Sequence, residues 1–124
     1  MGAKTATVAG DRIYGSALPG GGLRLDTPAW FVWLDAATTT GFAYPLFDPA
    51  CGYTVGVMTV RPEARQRGGR YWSVYRRQGP QLRKRYLGRS HVVTAQRLAA
   101  VAATLLQAQR TADHTNGQPG NADA

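Results

Sequence analysis

The stretch Tyr71–Ser90, YWSVYRRQGPQLRKRYLGRS, decides how this chain is read. Aromatic, β-branched and arginine residues alternate through RYWSVYRR (70–77), a short turn QGP follows, and QLRKRYLG (81–88) returns the chain. Alternation of this kind predicts a β-hairpin. Successive side chains of a strand point to opposite faces. Trp72 and Val74 therefore share one side of the first strand, and Tyr71, Ser73, Tyr75 and Arg77 share the other. In the second strand Leu82 and Tyr86 lie together, opposite Arg83 and Arg85. Matching apolar to apolar turns Trp72, Val74, Leu82 and Tyr86 inward. The outward face is then Tyr71, Ser73, Tyr75, Arg77, Arg83 and Arg85, with Arg76 and Lys84 expected at the sheet margin, reaching past the core to water.

Working outward, YTVGVMTVR (53–61) reads as another strand, bounded by Pro49 and Gly52 before it and Pro62 after it. AWFVWLDA (29–36) and TTTGFAYPL (38–46) are dense in aromatic and β-branched residues and predict a first hairpin. After Gly88 the period changes. Thr94 is placed to cap a helix, and Leu98, Val101, Ala102 and Leu105 recur at i, i+3, i+4 and i+7. The expected fold is α+β: an antiparallel sheet of three to five strands packed against one C-terminal helix. Residues 1–22 read as a flexible leader, 23–110 as the single folded domain, and 111–124 as a polar, disordered tail.

Of the 15 Lys and Arg residues, ten fall between Arg61 and Arg89, where Glu63 is the single acid. The formal net charge of +8 is thus the charge of one segment, and such a footprint points to a polyanion, most simply nucleic acid. Arginine pairs bidentately with phosphate or with guanine, tyrosine packs on sugar and base, and a two- or three-stranded ribbon fits a major groove about 12 Å wide. The outward face supplies the base-reading candidates, while Arg65, Arg67, Arg70, Lys84 and Arg89 are the phosphate-contact candidates.

The span from Arg70 to about Leu106 resembles the arm-type DNA-binding domain found at the N-terminus of tyrosine recombinases (integrases), and related small mobile-element proteins. RYWSVYRR, the tight turn, QLRKRYLGRS and the helix VTAQRLAAVAATL carry the resemblance. It implies a sheet packed on a C-terminal helix, with the exposed sheet face lying in the major groove of duplex DNA. The same pattern also resembles the leaders of some large bacterial transcription regulators. A catalytic domain of the integrase kind has no room in 124 residues. The expected role is a non-enzymatic one, as a mobile-element accessory or small transcription regulator.

Other chemistry finds little material. Cys51, His91 and His114 are the whole Cys and His supply, too dispersed for a zinc site. No catalytic set, no phosphate-binding loop and no cofactor motif is present. No apolar run is long enough for a membrane span, no secretory signal is evident, and a lone cysteine suits a reducing cytoplasm, with nucleoid association if DNA is the partner. Two alternatives are a single-stranded DNA or RNA binder stacking bases on Tyr71 and Tyr75, and a protein-interaction or homodimer module using the Trp30–Trp33 strand.

Overall fold

Thr27 and Pro28 overturn the expected first hairpin. The computed structural model of the chain describes residues 5–16, 18–36, 38–64 and 70–117, and in it α1 (Pro28–Asp35) is a helix. Pro28 occupies the first turn, where its missing N–H costs nothing, and the Thr27 hydroxyl accepts from the Trp30 amide at 3.4 Å. Trp30 and Leu34, one turn apart, are both fully buried. The aromatic density that resembles a strand is the buried side of a short helix.

The sheet has seven strands: β1 (Ala6–Ala9), β2 (Arg12–Tyr14), β3 (Leu23–Arg24), β4 (Phe42–Asp48), β5 (Tyr53–Ala64), β6 (Arg70–Gln78) and β7 (Gln81–Arg89). Their order is β3-β2-β1-β4-β5-β6-β7, with β1 parallel to β4 and every other pair antiparallel. The α+β class therefore holds, but the sheet is mixed and larger than expected, and two α-helices accompany it. The stretch expected as a flexible leader supplies β1 and β2, where Val8 and Ile13 pair across the strands and are buried. Runs of three or four residues are too short to show periodicity in the sequence.

α2 (Ala95–Gly117) begins as expected, with the Thr94 hydroxyl accepting from the Arg97 amide at 3.1 Å. It runs further than expected, through the first residues of the supposed tail. A helix already nucleated by packed residues extends at a gain of one hydrogen bond per residue. Leu98, Val101, Leu105 and Leu106 join Trp30, Leu34, Phe42, Met58, Val60, Trp72 and Val74 in a single core on one face of the sheet. Phe42 bridges the aromatic part of that core, 5.4 Å from the Trp30 ring and 6.0 Å from the Trp72 ring. Both buried indole N–H groups are satisfied: Trp30 donates to the Val93 carbonyl at 2.8 Å and Trp72 to the Ser90 hydroxyl at 2.9 Å. Among the described residues no helix is long and apolar enough to cross a membrane.

Candidate nucleic-acid interface

The β6–β7 register sorts the arginines. Gly79, with φ +60°, and Pro80 form a two-residue turn between the paired Gln78 and Gln81. A positive φ at the first central position followed by a residue near −65° suits the II′ hairpin turn, whose twist matches that of the strands. From that turn the pairs are fixed: Arg77 with Leu82, Arg76 with Arg83, Tyr75 with Lys84, Val74 with Arg85, Ser73 with Tyr86. Directly paired residues share a face. Leu82 and Tyr86 consequently lie on the outer face with Tyr71, Ser73, Tyr75 and Arg77, and are 53% and 48% exposed. Arg83 and Arg85 lie on the other side, with Trp72 and Val74. The expected inward and outward assignments of β7 are thus reversed. The inward apolar residue of β7 is Leu87, seated where the register shifts beside Trp72 and Ser73.

The distal hairpin also leaves the sheet. β5 pairs with β6 from Thr59 to Ala64, opposite Tyr75 back to Arg70, while the earlier half of β5 pairs with β4. Arg76, Arg77 and Gln78 have ladder partners in β7 alone. The tip is a two-stranded ribbon with Arg77 on its outward face and Arg76 and Arg83 on the reverse; Lys84, outward, and Arg85, on the reverse, follow on β7 opposite Tyr75 and Val74, where β6 is still paired with β5. Arg77 and Arg85 are exposed and Arg83 is half-buried. Arg83 Nη2 donates to the Gln81 side chain at 3.4 Å. The Arg76 guanidinium instead folds back over Gly56, where a side chain would collide with it.

The remaining candidates have differing surroundings. Ser73 is on the outer face but fully buried, and its hydroxyl has no hydrogen-bond partner, so it does not present itself to a ligand. Tyr75 donates to Glu63, and Lys84 Nζ is ion-paired with the same carboxylate at 2.7 Å. The hydrogen bond to Glu63 raises the Lys84 pKa above the ordinary lysine value. Arg70 donates to the Thr39 carbonyl at 2.6 Å and the Leu34 carbonyl at 3.5 Å, fastening the end of α1. Arg89 lies over the Tyr71 ring at 5.0 Å and donates to its hydroxyl at 2.8 Å. Arg65 and Arg67 lie outside the described residues.

Three outer-face or edge residues escaped the sequence reading as site candidates. Arg61, exposed, pairs with Ser73 in the next strand. Tyr86 stacks on Tyr71 with centroids 6.3 Å apart and planes at 23°. Arg97 of α2 donates to the Tyr86 carbonyl at 3.2 Å, tying down the free edge of β7. The two-residue turn alone would have placed Tyr86 outward, since it fixes every pair from Gln78 and Gln81 down to Ser73 and Tyr86.

In the aromatic helix α1 Trp30 is fully buried and Trp33 half-buried, and the two rings stack at 5.7 Å. Among the described residues no group of three or more His, Cys, Asp or Glu could hold a metal ion. Cys51 is exposed in the β4–β5 turn, its thiol 3.7 Å from the Asp48 carboxylate. No family model, no curated protein and no solved structure matches the chain.

Proposed function

We propose that this protein binds duplex DNA without catalysing a reaction on it, by placing the β6–β7 ribbon in a groove. The observation that carries this reading is the separation of β6 from β5 after Tyr75. Seven strands spaced about 4.8 Å apart span about 29 Å, more than twice the width of a major groove of about 12 Å. A face that broad cannot enter a groove as a whole. A free ribbon of two strands can, and this one carries cations on both sides, as contact with the phosphates of both groove walls requires. Arg77, Arg83 and Arg85 are the central contacts, with Arg61 and Arg89 completing the charge from the sheet behind. α2 supports the sheet from the face of Trp72 and Val74, behind the ribbon tip. The arm-type resemblance supports the same choice of element, and a mobile-element accessory or small regulator remains the role it suggests.

The test is equilibrium binding to duplex DNA, single-stranded DNA and RNA of matched length across a salt series. Neutralising about five phosphates predicts a slope of log K against log salt of about −4.5 for duplex. Replacing Arg77, Arg83 and Arg85 together by Ala should make that slope shallower by about 2.7 and reduce affinity at least tenfold with the fold intact. Unchanged affinity in that variant would overturn the reading.

A further inference from the structure

β7 closes the sheet on one side. It is nine residues long and follows β6 at the end of the strand order, so among the described residues no strand lies along its outer edge. The turn decides which backbone groups point there. In a two-residue hairpin the closing residues, here Gln78 and Gln81, exchange hydrogen bonds, and bonded and non-bonded pairs alternate from that point. Arg76–Arg83 and Val74–Arg85 are then bonded pairs, and Arg77–Leu82, Tyr75–Lys84 and Ser73–Tyr86 are the others. Leu82, Lys84 and Tyr86 thus direct their N–H and C=O groups away from β6. The Arg97 side chain agrees with that phase, since it reaches the Tyr86 carbonyl from α2 at 3.2 Å.

Arg97 meets the edge at Tyr86. Further toward the turn Leu82 and Lys84, both exposed, each offer one donor and one acceptor, spaced about 7 Å apart along the strand. Another main chain completes a row of this kind. Phosphates supply acceptors alone and would leave the Leu82 and Lys84 carbonyls unanswered, so the edge does not suit nucleic acid. It does not suit a second copy of the chain either. β7 carries four cations and no acid, and pairing it with itself would set like charges opposite one another. The same cations select an extended segment that bears carboxylates.

We propose that an acidic, extended segment of a partner protein adds to the outer edge of β7 as a further strand. Directly opposed residues share a face, so carboxylates two residues apart would stand beside Arg83 and Arg85 on the reverse face, where Arg85 is exposed. The residue between those carboxylates lies on the outer face beside Lys84, whose ammonium is already paired with Glu63. The next along falls beside Leu82, which is 53% exposed. Apolar side chains suit both of those positions. The pattern recognised is therefore acid and apolar in alternation, and it holds whether or not the ribbon binds duplex DNA.

The experiment titrates the full chain into a labelled peptide of alternating Glu and Val, about eight residues long, and into its counterpart with Lys for Glu. Fluorescence anisotropy should show the Glu peptide bound at least about tenfold tighter, the preference that two opposed charge pairs supply. Leu82→Pro removes an edge donor and no bond to β6, so it should weaken that binding at least about fivefold with the denaturation midpoint nearly unchanged. Arg83→Glu with Arg85→Glu should reverse the preference. Amide NMR spectra of wild type need no variant: the Leu82 and Lys84 signals should move most when the Glu peptide is added. Equal affinity for the two peptides, or shifts that bypass Leu82 and Lys84, overturns the proposal. So does a dimer joined through β7 in the absence of peptide, which would place a second copy on the edge.

Discussion

Lys84 Nζ lies 2.7 Å from a carboxylate oxygen of Glu63, and the Tyr75 hydroxyl donates to that same oxygen. The single acid of the basic segment is therefore committed to one lysine and one phenol on the outer face. The hydrogen bond to Glu63 raises the Lys84 pKa above its ordinary 10.5. A folded-state pKa above the unfolded one means that the pair's contribution is complete below the ordinary lysine range and is lost as pH rises through the raised value. The ammonium of Lys84, followed by NMR through an alkaline titration, should titrate above a model lysine. In Glu63→Gln it should return to the ordinary range. A Lys84 titration unmoved by that substitution would show that the pair does not form in solution.

The same substitution bears on DNA. With Glu63 neutral, Lys84 is released and the outer face loses its one carboxylate between Arg61 and Arg89. Glu63→Gln should tighten duplex binding about three- to tenfold at low salt and steepen the salt slope by about 1, the value of one more phosphate contact. Measurement across the same salt series checks it. A slope equal to that of wild type would mean that Lys84 does not reach a phosphate.

Gly56 gives room to the Arg76 guanidinium, which lies where a β-carbon would stand. The obstructing atoms are the far end of a flexible side chain. Gly56→Ala should accordingly displace Arg76 and leave the midpoint of chemical denaturation nearly unchanged. Once displaced, Arg76 adds a cation to the reverse side of the ribbon. Duplex affinity should rise about threefold, with a salt slope steeper by up to about 1. A variant that instead loses more than about 2 kcal/mol would show that Arg76 packing on β5 is a structural contact in its own right.

Ser73 carries a buried hydroxyl without a hydrogen-bond partner, beside Tyr86 in the cross-strand pair. Removing an unsatisfied buried polar atom relieves its desolvation cost. Ser73→Ala should leave stability unchanged or raise it by up to about 1 kcal/mol, with duplex affinity within about twofold of wild type. Denaturant unfolding and one binding isotherm suffice. A loss of binding with stability intact would place Ser73 in contact with DNA after all.

Much of the local structure around the ribbon was legible in the sequence, and the reasons for the rest are specific. β5, β6, β7 and the start of α2 follow from alternation, from the Gly-Pro turn and from the Thr94 cap. The phase of β7 relative to β6 was misread because apolar Leu82 and Tyr86 were matched to apolar Trp72 and Val74. The two-residue turn fixes the opposite pairing: Tyr86 follows it opposite Ser73, inside the sheet, and Leu82 follows it at the tip, where β6 no longer pairs with β5. Alternation there no longer reports burial. α1 was misread because Trp, Phe and Val suit strands, although Thr27, Pro28 and the Trp30–Leu34 spacing mark a capped helix. β1 and β2 expose too few residues to signal, and their place beside β4 depends on a parallel pairing between Ala6 and Phe42 that no local pattern encodes.

Two glycines with positive φ should respond unequally to the same substitution, because one has space and the other does not. Gly79, φ +60°, turns the ribbon with nothing within 4 Å of an added β-carbon. Gly79→Ala incurs only the backbone strain of its positive φ, about 1–3 kcal/mol. Gly41, φ +130°, precedes β4, and an added β-carbon would stand 2.7 Å from the Val60 carbonyl oxygen, a backbone atom in the middle of the sheet. That conformation is almost closed to other residues, and the obstacle cannot rotate away, so Gly41→Ala should lose about 3 kcal/mol or more. Denaturant midpoints at equal m-value measure the difference. Equal losses would mean that the β4–β5 ladder adjusts around Gly41. A larger loss at Gly79 would mean that the ribbon turn contributes to global stability, although the ribbon tip pairs with no strand outside its own hairpin.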